Sequence, residues 1–195
     1  MPRTRLRILQ ISMPRTRLRI LQISMILLLA ASICRGAYAD SIKPSDNHVK
    51  SAMLFNMIKF VDWPQESLSA NAITICVLGK GSFGEALNAF QGEHLKGRTV
   101  IVRHISQGHE AIDCQVLVLG DIDRRLVTSI IERTRQQAVL TVSDMPNFAQ
   151  AGGVVGFIEQ DDKIRFTINT TAAQQHRIRI SYQLLKIARI VKDPT

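Results

Sequence analysis

The residues best suited to chemistry are Gly79-Lys80-Gly81-Ser82-Phe83-Gly84, which follow Ile73–Leu78, a run of β-branched and apolar residues containing Cys76. G-x-G-x-x-G between a strand and a helix is the spacing that lets a backbone approach a pyrophosphate. A dinucleotide site also needs an acid about 20 residues on, at the end of the next strand, to hold the ribose hydroxyls. That strand ends in Arg103-His104. Arg103 could take a 2′-phosphate instead, but a secreted chain lies outside the cytosolic cofactor pool. The glycines are therefore read as a tight strand-to-helix turn, whose backbone N–H groups could still receive an anion or a carboxylate.

The other candidate residues form no catalytic set. The five histidines (His48, His94, His104, His109, His176) include no His-x-x-x-His pair, and no Cys-x-x-Cys is present, so no metal or other cofactor is expected. Ser143-Asp144 ends an apolar run, where an α/β sheet places ligands. No G-x-S-x-G surrounds Ser143, and a turn-capping role is the simpler one. With right-handed connections, strand ends at Gly79, Gly120 and Ser143 open on one sheet edge. Together with Gly81, Ser82, Phe83, Asp144, Gly152 and Gly153 they would frame a crevice for a small anionic or aromatic ligand. No enzymatic activity is expected.

A formal net charge of +9 would suit nucleic acid or an anionic membrane, yet seven of the 25 basic residues lie in residues 1–39, which carry no acid. Residues 40–195 hold 18 basic against 16 acidic residues, so no nucleic-acid partner is expected. Residues 1–39 read as a secretory signal: an arginine-rich start, apolar Met25–Ile33, then Ala37-Tyr38-Ala39 before a cleavage point that leaves Asp40 first. The apolar run is roughly half of what a membrane span needs. Residues 1–12 recur unchanged as 13–24, a duplicated start rather than a structural repeat. The remaining residues, 40–195, suffice for one domain with one core. Removing Cys34 leaves Cys76 and Cys114, and an even pair in an oxidising compartment suggests a bond between them.

The elements that must position these residues follow from periodicity. Asp46 caps a helix over 47–62 whose apolar residues (Val49, Met53, Phe55, Met57, Ile58, Phe60, Val61) cover more than one stripe, and Trp63-Pro64 stops it. Such a helix is either wedged into the core or offers Phe55, Ile58 and Trp63 to a partner. Strands are read at 73–78, 98–105, 115–119 and 138–142, with helices at 83–90 and 124–136, the latter capped by Asp121 and Asp123. A hairpin joins 154–159 to 163–169. A last helix spans 171–191, capped by Thr170 or Thr171, with Ile178, Leu184, Leu185, Ala188 and Val191 at helical spacing. Its basic side, Arg177, Arg179, Lys186 and Arg189 beside Ile178, Ile180 and Tyr182, could meet an acidic patch on a partner. The order gives one α/β domain, a sandwich with a mixed, roughly six-stranded sheet flanked by helices in Rossmann-like layering.

The segments Ala52-Met-Leu-Phe-Asn-Met-Ile-Lys-Phe-Val-Asp-Trp-Pro64, Ile75-Cys-Val-Leu-Gly79 with Phe83-Gly84, Val139-Leu-Thr-Val-Ser-Asp144 with Phe148-Ala149 and Gly152-Gly153, Arg165-Phe-Thr-Ile-Asn169 and Leu184-Leu-Lys-Ile-Ala-Arg189 stand in one order. In that arrangement the chain resembles the YfiR-like family of bacterial periplasmic proteins over nearly all of residues 48–191. The resemblance implies a non-enzymatic periplasmic regulator. The best-known member holds an inner-membrane diguanylate cyclase inactive through its periplasmic part, and an outer-membrane lipoprotein sequesters that member so that cyclic di-GMP rises. Cys76 and Cys114 fall where such proteins carry one bridge. A second bridge of the best-known member has no cysteines here, so redox sensing through it does not carry over. Homodimerisation is a further implication of the family. The rival reading is a periplasmic accessory protein that binds a small ligand and reports to another membrane sensor or transporter.

Overall fold

A computed structural model describes residues 45–68 and 71–191. The expected signal segment and cleavage point, and the duplicated start, lie outside the described residues.

The chain runs α1 (Asp46–Ile58), β1 (Val61–Asp62), β2 (Ala72–Leu78), α2 (Ser82–Ala86), β3 (His94–Leu95), β4 (Arg98–Ile105), β5 (Val116–Leu119), α3 (Arg124–Thr134), β6 (Leu140–Ser143), β7 (Val155–Gln160), β8 (Lys163–Asn169), α4 (Thr170–Gln175), β9 (Arg179–Ile180), α5 (Tyr182–Leu185) and β10 (Arg189–Val191). Eight strands form one mixed sheet in the order β10-β8-β7-β6-β5-β2-β4-β3, and β1 pairs with β9 in a separate two-stranded sheet. The expectation of six strands is corrected to eight because two short edge strands, β3 and β10, extend the sheet at either end. Neither has the length or the alternation that marks a strand in sequence.

The central strands are apolar on both faces, as parallel strands covered from both sides must be. Ile73, Ile75 and Val77 of β2, Val116 and Val118 of β5, and Leu140 and Val142 of β6 enter one core with α1, α2 and β8. Their alternates Cys76, Leu78, Leu117 and Leu119 enter a second core with Val127, Ile130 and Ile131 of α3. Strand alternation thus divides one run of residues between two helix layers.

Two helices differ from their reading in sequence. The first ends at Ile58, because Val61-Asp62 leaves the helix to pair with Ile180-Arg179. Ser45, not Asp46, is its N-cap residue. The expected helix over 171–191 is broken into α4, β9, α5 and β10. Arg177 takes a left-handed φ of 54°, which ends the helix, and the alternation Arg177-Ile178-Arg179-Ile180 suits a strand. Ser181 then caps a new single turn by accepting from the Leu184 N–H. Asn169 rather than Thr170 or Thr171 caps α4, accepting from the Ala172 N–H. Asp123 caps α3 as expected, whereas Asp121 is drawn into a bridge with Lys80. Among the described residues, no helix is long and apolar enough to cross a membrane.

Candidate functional site

The glycine turn is explained by packing. Gly79 has φ +92° and lies against Ile122, and a Cβ on Gly84 would collide with the Val77 side chain, so the third glycine lets α2 lie directly on β2. Phe83 is buried and meets Phe157 edge-on at 5.3 Å. Gly81 and Ser82 are exposed at the turn.

The loops after β2 and β5 are joined where a crevice was expected. The Asp121 N–H donates to the Lys80 carbonyl at 2.7 Å, and a Cβ on Gly120 would overlap that carbonyl. Ser143 is fully buried. Its hydroxyl donates to the Leu119 carbonyl at 2.7 Å and accepts from the Met145 N–H at 3.1 Å. Asp144 pairs with Lys50 of α1 at 2.6 Å, and Gly153 lies flush against the Phe148 ring. Gly152 takes φ +99° in the turn before β7. A hollow of about 220 Å³ beside this turn is lined by Arg124, Val127, Thr128, Met145, Pro146, Phe148 and Ala151, none of which belongs to the expected crevice.

Cys76 and Cys114 form a disulfide, with Cα atoms 5.9 Å apart and both residues buried. It fastens β2 to the segment entering β5. Beside it, the Gln115 side chain accepts from the Thr74 N–H and donates to the Ser67 carbonyl, at 2.8 and 2.9 Å. The same residue's carbonyl accepts from the Trp63 indole N–H at 3.2 Å. Trp63 therefore belongs to the core, as does Ile58, which is fully buried; neither can form part of a partner surface. Phe55 stacks on Phe90 at 4.4 Å between ring centres.

The open surface lies on the other stripe of α1. Val49, Ala52, Met53, Asn56 and Met57 recur every three or four residues, and with Phe60 just past the helix, His48, Phe166 of β8 and Leu184 of α5 they line a groove of about 410 Å³. Its walls are almost wholly apolar. On α5, which supplies Leu184 to the groove, Tyr182 is 71% exposed and receives Lys186 over its ring at 4.8 Å. Arg179 is exposed on β9, while Arg177 is taken up by Glu66 at 2.8 Å. The structure brings Tyr182 and Lys186 together and disperses the rest of the basic side expected of one long helix.

A family model for YfiR/HmsC-like proteins matches residues 47–189. The chain belongs to the YfiR/HmsC-like family. No curated protein matches it. In this YfiR/HmsC-like domain the groove residues Ala52, Asn56 and Phe166 escaped sequence reasoning. For Ala52 and Asn56 the available signal is their place on the second stripe of α1, which marks an extra covered face without saying which stripe the sheet takes; Phe166, on β8, carries none.

Proposed function

We propose that the chain is a secreted periplasmic regulator without catalytic activity. In this reading it binds the periplasmic part of an inner-membrane diguanylate cyclase and lowers cyclic di-GMP signalling. The family match over residues 47–189 carries the reading. The apolar groove between α1, β8 and α5 supports it, since an open apolar surface of this kind is what a protein partner covers. Arg179, Tyr182 and Lys186, exposed on β9 and around α5, are further candidates for that contact. An outer-membrane lipoprotein that competes for the same face would relieve the repression, and a second copy of the chain is a further candidate occupant. The buried bond between Cys76 and Cys114 acts as a structural brace in this scheme.

The test is capture of membrane proteins by the tagged chain from native envelope extract, combined with a cyclic di-GMP assay in a strain lacking the gene. Retention of a cyclase-bearing membrane protein and a rise in cyclic di-GMP are expected. Retention of a kinase or transporter with unchanged cyclic di-GMP would overturn the cyclase reading. The second reading, a ligand-binding accessory protein, draws on the groove volume of about 410 Å³, which is within the range of small-molecule sites.

A further inference from the structure

The two faces of the sheet are covered unequally. On the face carrying Phe157, Phe166 and Ile168, the α1 layer closes the larger core. On the opposite face, α3 and Phe148 cover β2, β5 and the entry to β6, and the turn at Ala149 reaches Gly156 of β7 and Asn169 of β8, where the cover ends. Pairing sets Ile158 opposite Arg165, Gln160 opposite Lys163, and Arg189 opposite Thr167. Paired residues share a face and alternate residues return to it, so Lys163, Arg165 and Arg189 all belong to this second face, the first two beyond its cover and Arg189 on the edge strand beside it. All three are exposed; half-buried Ile158 stands beside Arg165 on β7, and half-buried Val191 follows Arg189 along β10. Among the described residues none of the three is in an ion pair. Same-face neighbours on a strand stand about 7 Å apart and adjacent strands about 4.8 Å apart, so the three charges crowd into a small flat area. Of the nearby carboxylates, Glu159 alternates to the other face and Asp161-Asp162 form the hairpin tip.

We propose that this bare basic face rests on an anionic phospholipid surface. A stable protein interface buries roughly 1,200 Å² or more around an apolar centre, whereas this face offers flexible cations with only single half-buried aliphatic residues, Ile158 and Val191, at its margins. A bilayer of acidic headgroups is flat and dense in phosphate, the complement of such a face. Each lysine or arginine held near it strengthens binding by about fivefold. The near balance of 18 basic and 16 acidic residues in 40–195 conceals the patch in the sequence. The groove lies with Phe166 on the opposite face, so contact with lipid leaves it open to a membrane protein. The proposal stands independently of which protein that is.

The test is flotation of the full chain with vesicles of phosphatidylcholine, with and without phosphatidylglycerol. Three forms are compared: the native sequence, Arg165→Gln/Arg189→Gln, and a control, Lys59→Gln/Lys80→Gln, which removes the same charge from other exposed sites. All three share one N-terminal segment, so differences between them report the folded domain. The native chain and the control are expected to float with the anionic vesicles and not the neutral ones, with the Arg165/Arg189 variant about 25-fold weaker. Relief of repulsion between like charges should leave that variant's Tm equal or higher, which separates loss of binding from misfolding. Unchanged binding by the variant, equal loss in the control, or loss of detergent-solubilised protein capture without loss of vesicle binding would overturn the proposal.

Discussion

At the scale of single residues, His176 is the group whose charge the fold controls most strongly. It is fully buried after α4, and its pKa falls from 6.5 to about 4. Burial is the main cause, the Arg135 guanidinium adds to it, and the Val139 backbone pulls weakly the other way. Above pH 6.5 both folded and unfolded chains hold the ring neutral. As pH falls through the interval down to about 4, the unfolded chain takes up a proton that the folded one refuses, so stability is lost across that window. The shift corresponds to about 3 kcal/mol at its full extent. Urea midpoints measured at pH 7, 5.5 and 4.5 should fall for the native chain and fall less for His176→Leu. Parallel slopes would reject this assignment. The Cys76–Cys114 bond closes a loop of 38 residues, so Cys76→Ala/Cys114→Ala should cost roughly 4 kcal/mol. Because both cysteines are buried, dithiothreitol should leave the bond intact until denaturant is added, as judged by thiol alkylation and mass.

At the scale of elements, what was legible depended on whether local and tertiary signals agreed. β2, β5 and β6 could be read because residues buried on both faces leave runs made almost wholly of apolar and β-branched residues. α3 could be read because Asp123 caps a well-separated polar face. Thr171–Val191 could not. Its apolar residues satisfy a helical period, but the chain there turns at Arg177, lends Arg179-Ile180 to β1 and adds β10 to the sheet edge. Each of those partners is distant in sequence, so a local pattern cannot register them. The start of α4 depends on Asn169, a fully buried residue whose side chain accepts from the Ala172 N–H and donates to the Ala149 carbonyl, each at 2.8 Å. Asn169→Ala removes a helix cap and the shorter of two hydrogen bonds to the buried Ala149 carbonyl, which keeps the Gly152 N–H at 3.3 Å, so a loss of about 2 kcal/mol is expected in urea unfolding. A loss near zero would mean that Thr170 can take over the cap. The candidate site was legible by the same measure: the excess apolar surface of α1 was visible, but Ile58 and Ala52 look alike in sequence, and only packing sends Ile58 inward and Ala52 to the groove.

At the scale of the whole molecule, the groove and the bare basic face lie on opposite sides of one sheet, so each can be altered without touching the other. Ala52→Asp places a carboxylate in the groove wall at a half-buried helical position and removes no packed side chain. Its cost to folding should be limited to about 0.7 kcal/mol of helix propensity. A partner that covers the groove must bury that carboxylate unpaired, which should weaken capture about tenfold or more. The same variant should float with anionic vesicles as the native chain does, and Arg165→Gln/Arg189→Gln should show the converse pattern in detergent extract. A triple variant should then lose both functions by the sum of the separate effects, because residues on opposite faces with no shared contacts act additively. If Ala52→Asp abolished vesicle binding as well, the two faces would have to be coupled through the sheet, and a single surface spanning its β10 edge would replace the two-sided arrangement.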